Sequence, residues 1–289
     1  MDTERLKTLM KVLECGSISA AAAALDYTPS GVSRMIQALE EEIGFPLLYR
    51  SREGAAPTEE LRKILPNIER MLYSGEALLQ ACREIRGLHT GTVRIGTAYS
   101  SYYSVLYRRI NAFREQYPGI EFRLKSGYTQ ELLEELYARR LDLCIVSRRD
   151  GPHLFENLIR DEVCAWVSAR HPLARGEAVP LSAYGTETYI DIHSGKDVDN
   201  ARILRQAGVT VRRRMEASDS LSAYYMVEAG LGIAMNNHIN TLLVGEGVRV
   251  MPLKPRQSVE IDAAWMEDLS PAAGKFLPAF LSAAKDLTG

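Results

Sequence analysis

The spacing of apolar positions at the beginning of the chain predicts three short helices. One apolar face is formed by Leu6, Leu9, Met10 and Leu13. Gly16 ends this helix, and Ser17 can cap the next one, which contains a run of five alanines. Thr28 and Pro29 begin a third helix that extends to about Glu42. Two short helices followed by a helix with a polar free face predict a helix-turn-helix.

The third helix and the segment after it carry the candidate contacts to double-stranded DNA. Pro46 excludes a helix in that segment, and the turn before Gly54 predicts a small β-hairpin, or wing. Arg34 can pair with both acceptors of a guanine, and a phosphate contact is the alternative. Because residues 1–57 hold six Lys and Arg against eight Asp and Glu, one copy alone should bind DNA weakly. The candidate DNA-binding residues are Ser30, Gly31, Ser33, Arg34, Gln37, Arg50 and Arg52.

A long helix is predicted next. Its apolar positions alternate at spacings of four and three from Leu61 to Cys82, which is the pattern of a coiled-coil seam, although Pro66 and Gly75 interrupt it. Self-pairing of two copies is the first interpretation, and a helix packed on its own domain is the alternative. The helix ends in a linker at 86–91.

Beyond Gly91 the pattern changes to alternating strands and helices, which indicates open, largely parallel α/β sheets. Candidate strands lie at 93–96, 120–124, 141–146, 163–167, 188–192, 209–213 and 232–235. Candidate helices lie at 101–117, 129–139, 197–206, 219–229 and 270–286.

Polar residues cluster where these strands end and the following helices begin, which is where open α/β sheets bind ligands. Hydroxyls, amides and an arginine that converge on one cleft indicate a small organic anion as the ligand. The candidate effector-binding residues are Thr97, Tyr99, Ser100, Ser101, Thr129, Ser147, Arg148 and His193.

Composition excludes several classes of protein. The chain has 289 residues, enough for more than one domain, and no apolar run of membrane-spanning length. Its acidic N-terminus is unlike a signal peptide, so a cytoplasmic location is expected. The four cysteines and five histidines are dispersed, and no nucleophile elbow or Walker loop is present, so we expect neither an enzyme nor a metal or cofactor site.

The residues resemble the LysR-type family of transcriptional regulators. The resemblance is carried by 17–25, by Val32 to Gly44 with its Ser-Arg and Leu-Glu pairs, and by Leu47-Leu48-Tyr49-Arg50. It continues in Tyr117-Pro118-Gly119, His171-Pro172-Leu173 and Gly230-Leu231-Gly232. Three departures from the family pattern are Pro29 in place of a glutamine, the missing glycine after Thr58, and Asn236-Asn237 in place of a proline.

This resemblance implies an α+β multi-domain fold, in which a winged helix-turn-helix and a long linker helix precede a periplasmic-binding-protein-like domain of two α/β subdomains. The predicted domains are 1–58, the linker helix 59–88 and the effector-binding domain 89–289. Within the last, subdomain I comprises about 89–162 and 266–289, and subdomain II about 163–265.

The predicted function is a DNA-binding transcriptional regulator controlled by a small-molecule effector. The partners implied are double-stranded DNA, the effector and further copies of the chain, as a homodimer or a tetramer of two dimers, with RNA polymerase as a further candidate and no membrane. Two alternatives are a DNA-binding regulator with a vestigial effector cleft and a solute-binding protein, which would leave 1–87 unexplained.

Overall fold

The computed structural model describes residues 2–51, 54–87, 89–192, 194–196 and 198–284. They form two compact units, Met1–Leu88 with Tyr137–Arg140, and His89–Leu136 with Leu141–Gly289. Within these described ranges, no helix is both long and apolar enough to cross a membrane.

The N-terminal unit consists of three short helices, a two-stranded hairpin and one long helix. Every helix begins at a side chain that accepts a hydrogen bond from a free backbone N–H two or three residues later: Asp2, Ser17, Thr28 and Thr58. Gly16 and Gly44 adopt positive φ and end the first and third helices. The elements are α1 (Thr3–Cys15), α2 (Ile18–Ala24), α3 (Pro29–Ile43), β1 (Leu48–Ser51), β2 (Gly54–Pro57) and α4 (Glu59–Ile85).

The core of this unit lies where α1, α2 and α3 meet. Ala21 and Ala22 are fully buried, and their small side chains let α2 pack closely against both neighbours. Leu61 and Ile68 from α4 belong to the same core. The predicted boundary at residue 58 therefore falls before two residues on which the packing of the N-terminal helices depends.

The long helix α4 changes its surroundings along its length. Leu61 is fully buried in its own domain, whereas Leu79 and Ile85 are 54% and 86% exposed. The alternative of a helix packed on its own domain therefore holds for the first turns, while self-pairing of two copies stays a prediction. Apolar side chains of the later turns are exposed on this chain.

The C-terminal unit alternates strands and helices. Its elements are β3 (Gly91–Thr97), α5 (Tyr103–Gln116), β4 (Ile120–Ser126), α6 (Thr129–Tyr137), β5 (Leu143–Ser147), β6 (Leu154–Ser168), β7 (Val179–Pro180), β8 (Thr188–Ile192), α7 (Asp199–Gln206), β9 (Arg213–Ala217), α8 (Ser220–Glu228), β10 (Ile233–Asn237), β11 (Val248–Trp265) and α9 (Pro271–Ala284).

The described strands of this unit form one sheet in the order β4-β3-β5-β11-β6-β10-β8-β9, with β7 beside β11. At each end of the sheet the pairs are parallel. In the middle, β11 runs antiparallel to β5 and β6, and β6 runs antiparallel to β10. The 15 residues of β6 and the 18 residues of β11 extend through both halves of the unit. The chain therefore crosses twice between the halves, as the resemblance implies.

Separate apolar cores identify the two halves. In the first half, β3, α5 and α9 enclose a core that includes Phe113 and Phe276. In the second half, residues on the two faces of the sheet form further cores around Tyr184 and Trp166. Ile261 belongs to the first core and pairs with β5, although it precedes the predicted boundary at 265.

Parts of the sheet differ from the predicted elements, among them β6, which begins at Leu154 and not at 163. The strand predicted at 209–213 is wrong, because Val209 and Val211 pack against a core from the loop that precedes β9. The strand β11 was not predicted at all. Its apolar alternation is broken by prolines, and the pairing of β11 with β6 is irregular between Pro252 and Gln257.

Candidate functional site

The third helix has one buried face and one exposed face. Val32, Ile36 and Leu39 are fully buried. Four polar residues lie exposed along the other side of the helix: Ser30, Arg34, Gln37 and Glu41. Their spacing of four, three and four residues places them in one stripe along α3. This stripe has the form of a recognition surface that can enter a major groove.

The first turn of α3 is held by its cap. Thr28 Oγ1 accepts from the N–H of Gly31 at 3.1 Å and lies 3.2 Å from Ser30 Oγ. Pro29 stands at the first helical position, where its missing N–H leaves no hydrogen bond unmade. Ser30 is exposed in this first turn. Gly31 contributes only its backbone N–H, which donates to the cap.

Arg50 on β1 is hydrogen-bonded to two residues of α3. Its Nη2 lies 3.1 Å from Glu40 Oε2, and its Nη1 donates to Ser33 Oγ at 3.2 Å. The other oxygen of Glu40 accepts from the backbone N–H of Leu47 at 2.8 Å. Glu40, which belongs to the Leu-Glu pair of the resemblance but was not among the candidate site residues, thus fixes the start of the wing and orients Arg50, which in turn bonds Ser33.

The cationic side chains of this unit differ in whether they are already paired with an acidic residue. Lys7 pairs with Glu4, and Lys11 pairs with Glu14. The hydrogen bond to Glu14 raises the pKa of Lys11, so this side chain stays charged at neutral pH. Among the described residues, Arg34 has neither an ion pair nor a hydrogen bond. The predicted contact Arg52 lies outside the described residues.

A polar cleft lies between the two halves of the C-terminal unit. It encloses a cavity of about 90 Å³ at the carboxyl end of β5 and beside the first residues of α6, α7 and α8. Hydroxyls and amides dominate its lining, and Asp199 is its one charged lining residue among those described. The cavity is lined by Ala98, Tyr99, Gly127, Tyr128, Thr129, Ser147, Ile192, Val198, Asp199, Asn200, Ser220, Asn236, Asn237 and Asn240.

Three of the predicted effector-binding residues meet in this cleft. Ser147 Oγ lies 2.6 Å from the hydroxyl of Tyr99 and 3.1 Å from that of Thr129. Burial raises the pKa of the Tyr99 phenol well above its usual range, and the nearby charge of Asp199 adds to the effect. Tyr99 is therefore a neutral hydroxyl that can donate a hydrogen bond.

Asp199 reaches this hydroxyl cluster from the other half of the unit. Its Oδ2 accepts from Ser147 Oγ and lies 3.4 Å from the hydroxyl of Tyr99. Its Oδ1 accepts from Arg149 Nη2 at 2.7 Å. The side chains of Arg149 and Asp199 are only 13% and 15% exposed, so solvent screens the pair weakly. A carboxylate of the protein itself thus completes the cluster.

Four predicted residues are absent from the lining of this cavity. Thr97 Oγ1 bonds the backbone of Tyr99 and shapes the turn. Ser100 is exposed outside the cavity, and Ser101 donates to Asn240 Oδ1 at 3.3 Å. Arg148 forms two hydrogen bonds to Asp262 and lies over the Phe155 ring, so its predicted place in the cleft is wrong. His193 lies outside the described residues.

The sequence did not identify most of the cleft residues that the second half of the C-terminal unit contributes. Asn200 Nδ2 donates to the backbone of Met235, and Asn236 Nδ2 donates to Ser220 Oγ at 3.1 Å. Asn240 Nδ2 donates to Asn236 Oδ1 at 2.8 Å. The pair Asn236-Asn237, noted as a departure from the family pattern, was the available signal.

A helix-turn-helix with an exposed recognition helix, joined to a two-part α/β unit with a polar cleft, is the architecture of a ligand-responsive transcriptional regulator. Residues 3–60 match the family described as bacterial regulatory helix-turn-helix protein, lysR family, and residues 86–285 match the LysR substrate binding domain. The chain belongs to the LysR family of transcriptional regulators. It is a DNA-binding regulator that carries an effector-binding domain, and the prediction of its family, fold class and general function is confirmed.

Relatives and solved structures agree with this assignment. The HTH-type transcriptional regulator YvbU of Bacillus subtilis is 28% identical over 100% of this chain and 99% of its own length. The probable regulator LrrA of Synechococcus elongatus is 31% identical over 81% of this chain and 80% of its own.

A full-length OxyR variant from Pseudomonas aeruginosa has the same fold, with a TM-score of 0.73 at 16% identity over 99% of this chain and 95% of its own. Full-length CbnR, solved in complex with its target DNA, aligns with a TM-score of 0.63 at 19% identity over 98% of this chain and 100% of its own.

Proposed function

We propose that α3 reads DNA in the major groove through the stripe formed by Ser30, Arg34 and Gln37. The observation that carries the proposal is Arg34, which is exposed on this stripe without a partner among the described residues. A guanidinium in this position can pair with guanine O6 and N7. Arg50 and Ser33, which share the hydrogen bond described above, lie beside the stripe and are proposed as phosphate contacts.

Substitution of Arg34 tests this role. Arg34→Ala is expected to weaken binding to the specific duplex by about 1–3 kcal/mol, because one bidentate base contact contributes that much discrimination. Binding to an unrelated duplex should change much less. Gel-shift titrations of the full chain on both duplexes measure the two affinities.

Lys7→Ala is the matched control, since it removes an exposed cation of α1, where Lys7 is paired with Glu4. An Arg34→Ala variant that binds both duplexes as tightly as the unmodified chain would exclude α3 as the reading element.

For the effector, we propose the cleft around Tyr99, Thr129 and Ser147 as the binding site. The support is its position at strand and helix ends, its hydroxyl and amide lining and its place in a domain of the substrate-binding family. One observation favours a second candidate, a regulator whose cleft no longer takes a ligand. Asp199 already fills the hydroxyl cluster, and the remaining cavity is small.

Family membership supports three further parts of the proposal. We infer that the chain acts in the cytoplasm, that it regulates transcription without catalysing a reaction, and that it works as a homodimer or a tetramer of two dimers. The exposed apolar side chains of Leu79 and Ile85 on α4 favour pairing of two copies along this helix. RNA polymerase is the further partner that such a regulator would contact at a promoter.

A further inference from the structure

We propose that Asp199 is an internal ligand of a carboxylate subsite in the cleft, and that the effector is a small carboxylic acid whose carboxylate replaces it. The proposal rests on the proposed function, because it takes the cleft to be the effector site. Its new element is the competition between a side chain of the protein and the effector for one set of hydrogen-bond donors.

The donors around Asp199 suit a carboxylate. Arg149 donates to Oδ1 at 2.7 Å, and Oδ2 faces the hydroxyls of Ser147 and Tyr99. An ionised carboxylate can only accept hydrogen bonds, so Ser147 donates to it. A guanidinium and two hydroxyls that engage both oxygens form a charge-assisted site for this group. The carboxylate of a free acid could make the same contacts.

The contact joins the two halves of the C-terminal unit. Asp199 begins α7 in the second half, whereas Ser147 ends β5 of the first half, and Tyr99 and Arg149 follow β3 and β5. A carboxylate from solution that took over these donors would release this link. The ligand would then interact differently with the linked and the unlinked arrangements, which is the condition for shifting their populations.

Size and charge restrict the class of ligand. The cavity of about 90 Å³ holds only a few non-hydrogen atoms, and a ligand that displaces Asp199 gains the space of its carboxylate as well. A cationic ligand gains little there, since Arg149 already neutralises Asp199 and the other described lining residues carry no charge. If Asp199 leaves, the weakly exposed Arg149 needs another anion beside it. A small monocarboxylate meets both conditions.

Calorimetric titration of the full chain with acetate, at constant ionic strength, tests the proposal. Asp199→Ala removes the competing carboxylate and keeps Arg149, Ser147 and Tyr99. Because a tethered group competes at an effective concentration in the millimolar range or above, acetate should bind this variant at least about tenfold more tightly than the unmodified chain. Acetamide, which has the same shape without the charge, should bind neither protein.

Two further variants make the result decisive. Asp199→Asn keeps the size of the side chain and removes its charge, so acetate affinity should rise there even if Asp199→Ala does not fold. Asp150→Ala removes an exposed carboxylate next to Arg149 in sequence and should behave like the unmodified chain. Equal acetate affinity with and without Asp199, no acetate binding by either Asp199 variant, or equal binding of acetamide would overturn the proposal.

Gel shifts with the same proteins separate this inference from the proposed function. If acetate binds Asp199→Ala tightly but leaves its DNA affinity unchanged, the carboxylate subsite stands and the effector role of the cleft fails. If the variant binds DNA normally and does not bind acetate, the carboxylate subsite fails and the role of α3 stands.

Discussion

Among single residues, Glu40 determines how the wing joins the recognition helix. One of its oxygens accepts from the backbone N–H groups of Leu47 and Leu48, and the other pairs with Arg50. The side chain is 17% exposed, so water cannot readily replace these hydrogen bonds. Glu40 therefore connects a residue of α3 with the strand that carries a proposed phosphate contact.

Glu40→Ala is expected to lower the free energy of unfolding of the N-terminal unit by about 1–3 kcal/mol, because it leaves Arg50 and the backbone N–H groups of two buried leucines without their acceptor. Thermal unfolding followed by circular dichroism measures the change. Glu41→Ala is the control, since Glu41 is exposed and accepts a hydrogen bond from Gln37 on the same helix. Equal melting of the two variants would show that Glu40 does not stabilise the wing.

The residue scale is also where prediction from sequence was weakest. Successive side chains at the end of a strand point to opposite sides, so Ser147 lines the cleft and Arg149 reaches Asp199, while Arg148 pairs with Asp262. The sequence does not show on which side of the sheet each side chain lies. It therefore could not indicate that Arg149, and not Arg148, bonds Asp199. Asp199 could not be identified either, because its partners are about 50 and 100 residues away in the chain.

At the scale of elements, local patterns predicted much more. Capping by Thr28, the proline after it and the apolar positions of α3 all lie within one short segment, and they determine the helix and its exposed face. β11 depends instead on pairing with β6 and β5, which no local pattern records. The helix α4 lies between these cases, because its periodicity predicts the helix but not which part of it packs on its own domain.

The exposed part of α4 gives a prediction at this scale. Leu79→Glu places a charge on the apolar seam proposed for self-pairing, so the dimer should dissociate at micromolar concentrations while the fold of each copy is kept. Analytical ultracentrifugation measures the association. Ser74→Glu adds the same charge at an exposed position off the seam and should not alter it. Full association of the Leu79→Glu variant would place the dimer contact elsewhere.

For the whole molecule, the charge of the N-terminal domain implies that DNA affinity depends on how many copies assemble. The first 57 residues carry more acidic than basic side chains, and several of their cations are paired internally. One such domain gains little from counterion release. Two domains held on one dimer engage two half-sites together, and the second contact then forms at a high effective concentration. DNA binding is therefore expected to require the assembled protein.

Hydroxyl-radical footprinting of the full chain on the DNA upstream of its own gene tests the central claim most directly. Two domains reading through α3 should protect two segments whose centres lie about one helical turn, or a whole number of turns, apart. The Arg34→Ala variant should protect them weakly. Absence of protection, or the same protection with Arg34→Ala, would contradict the account.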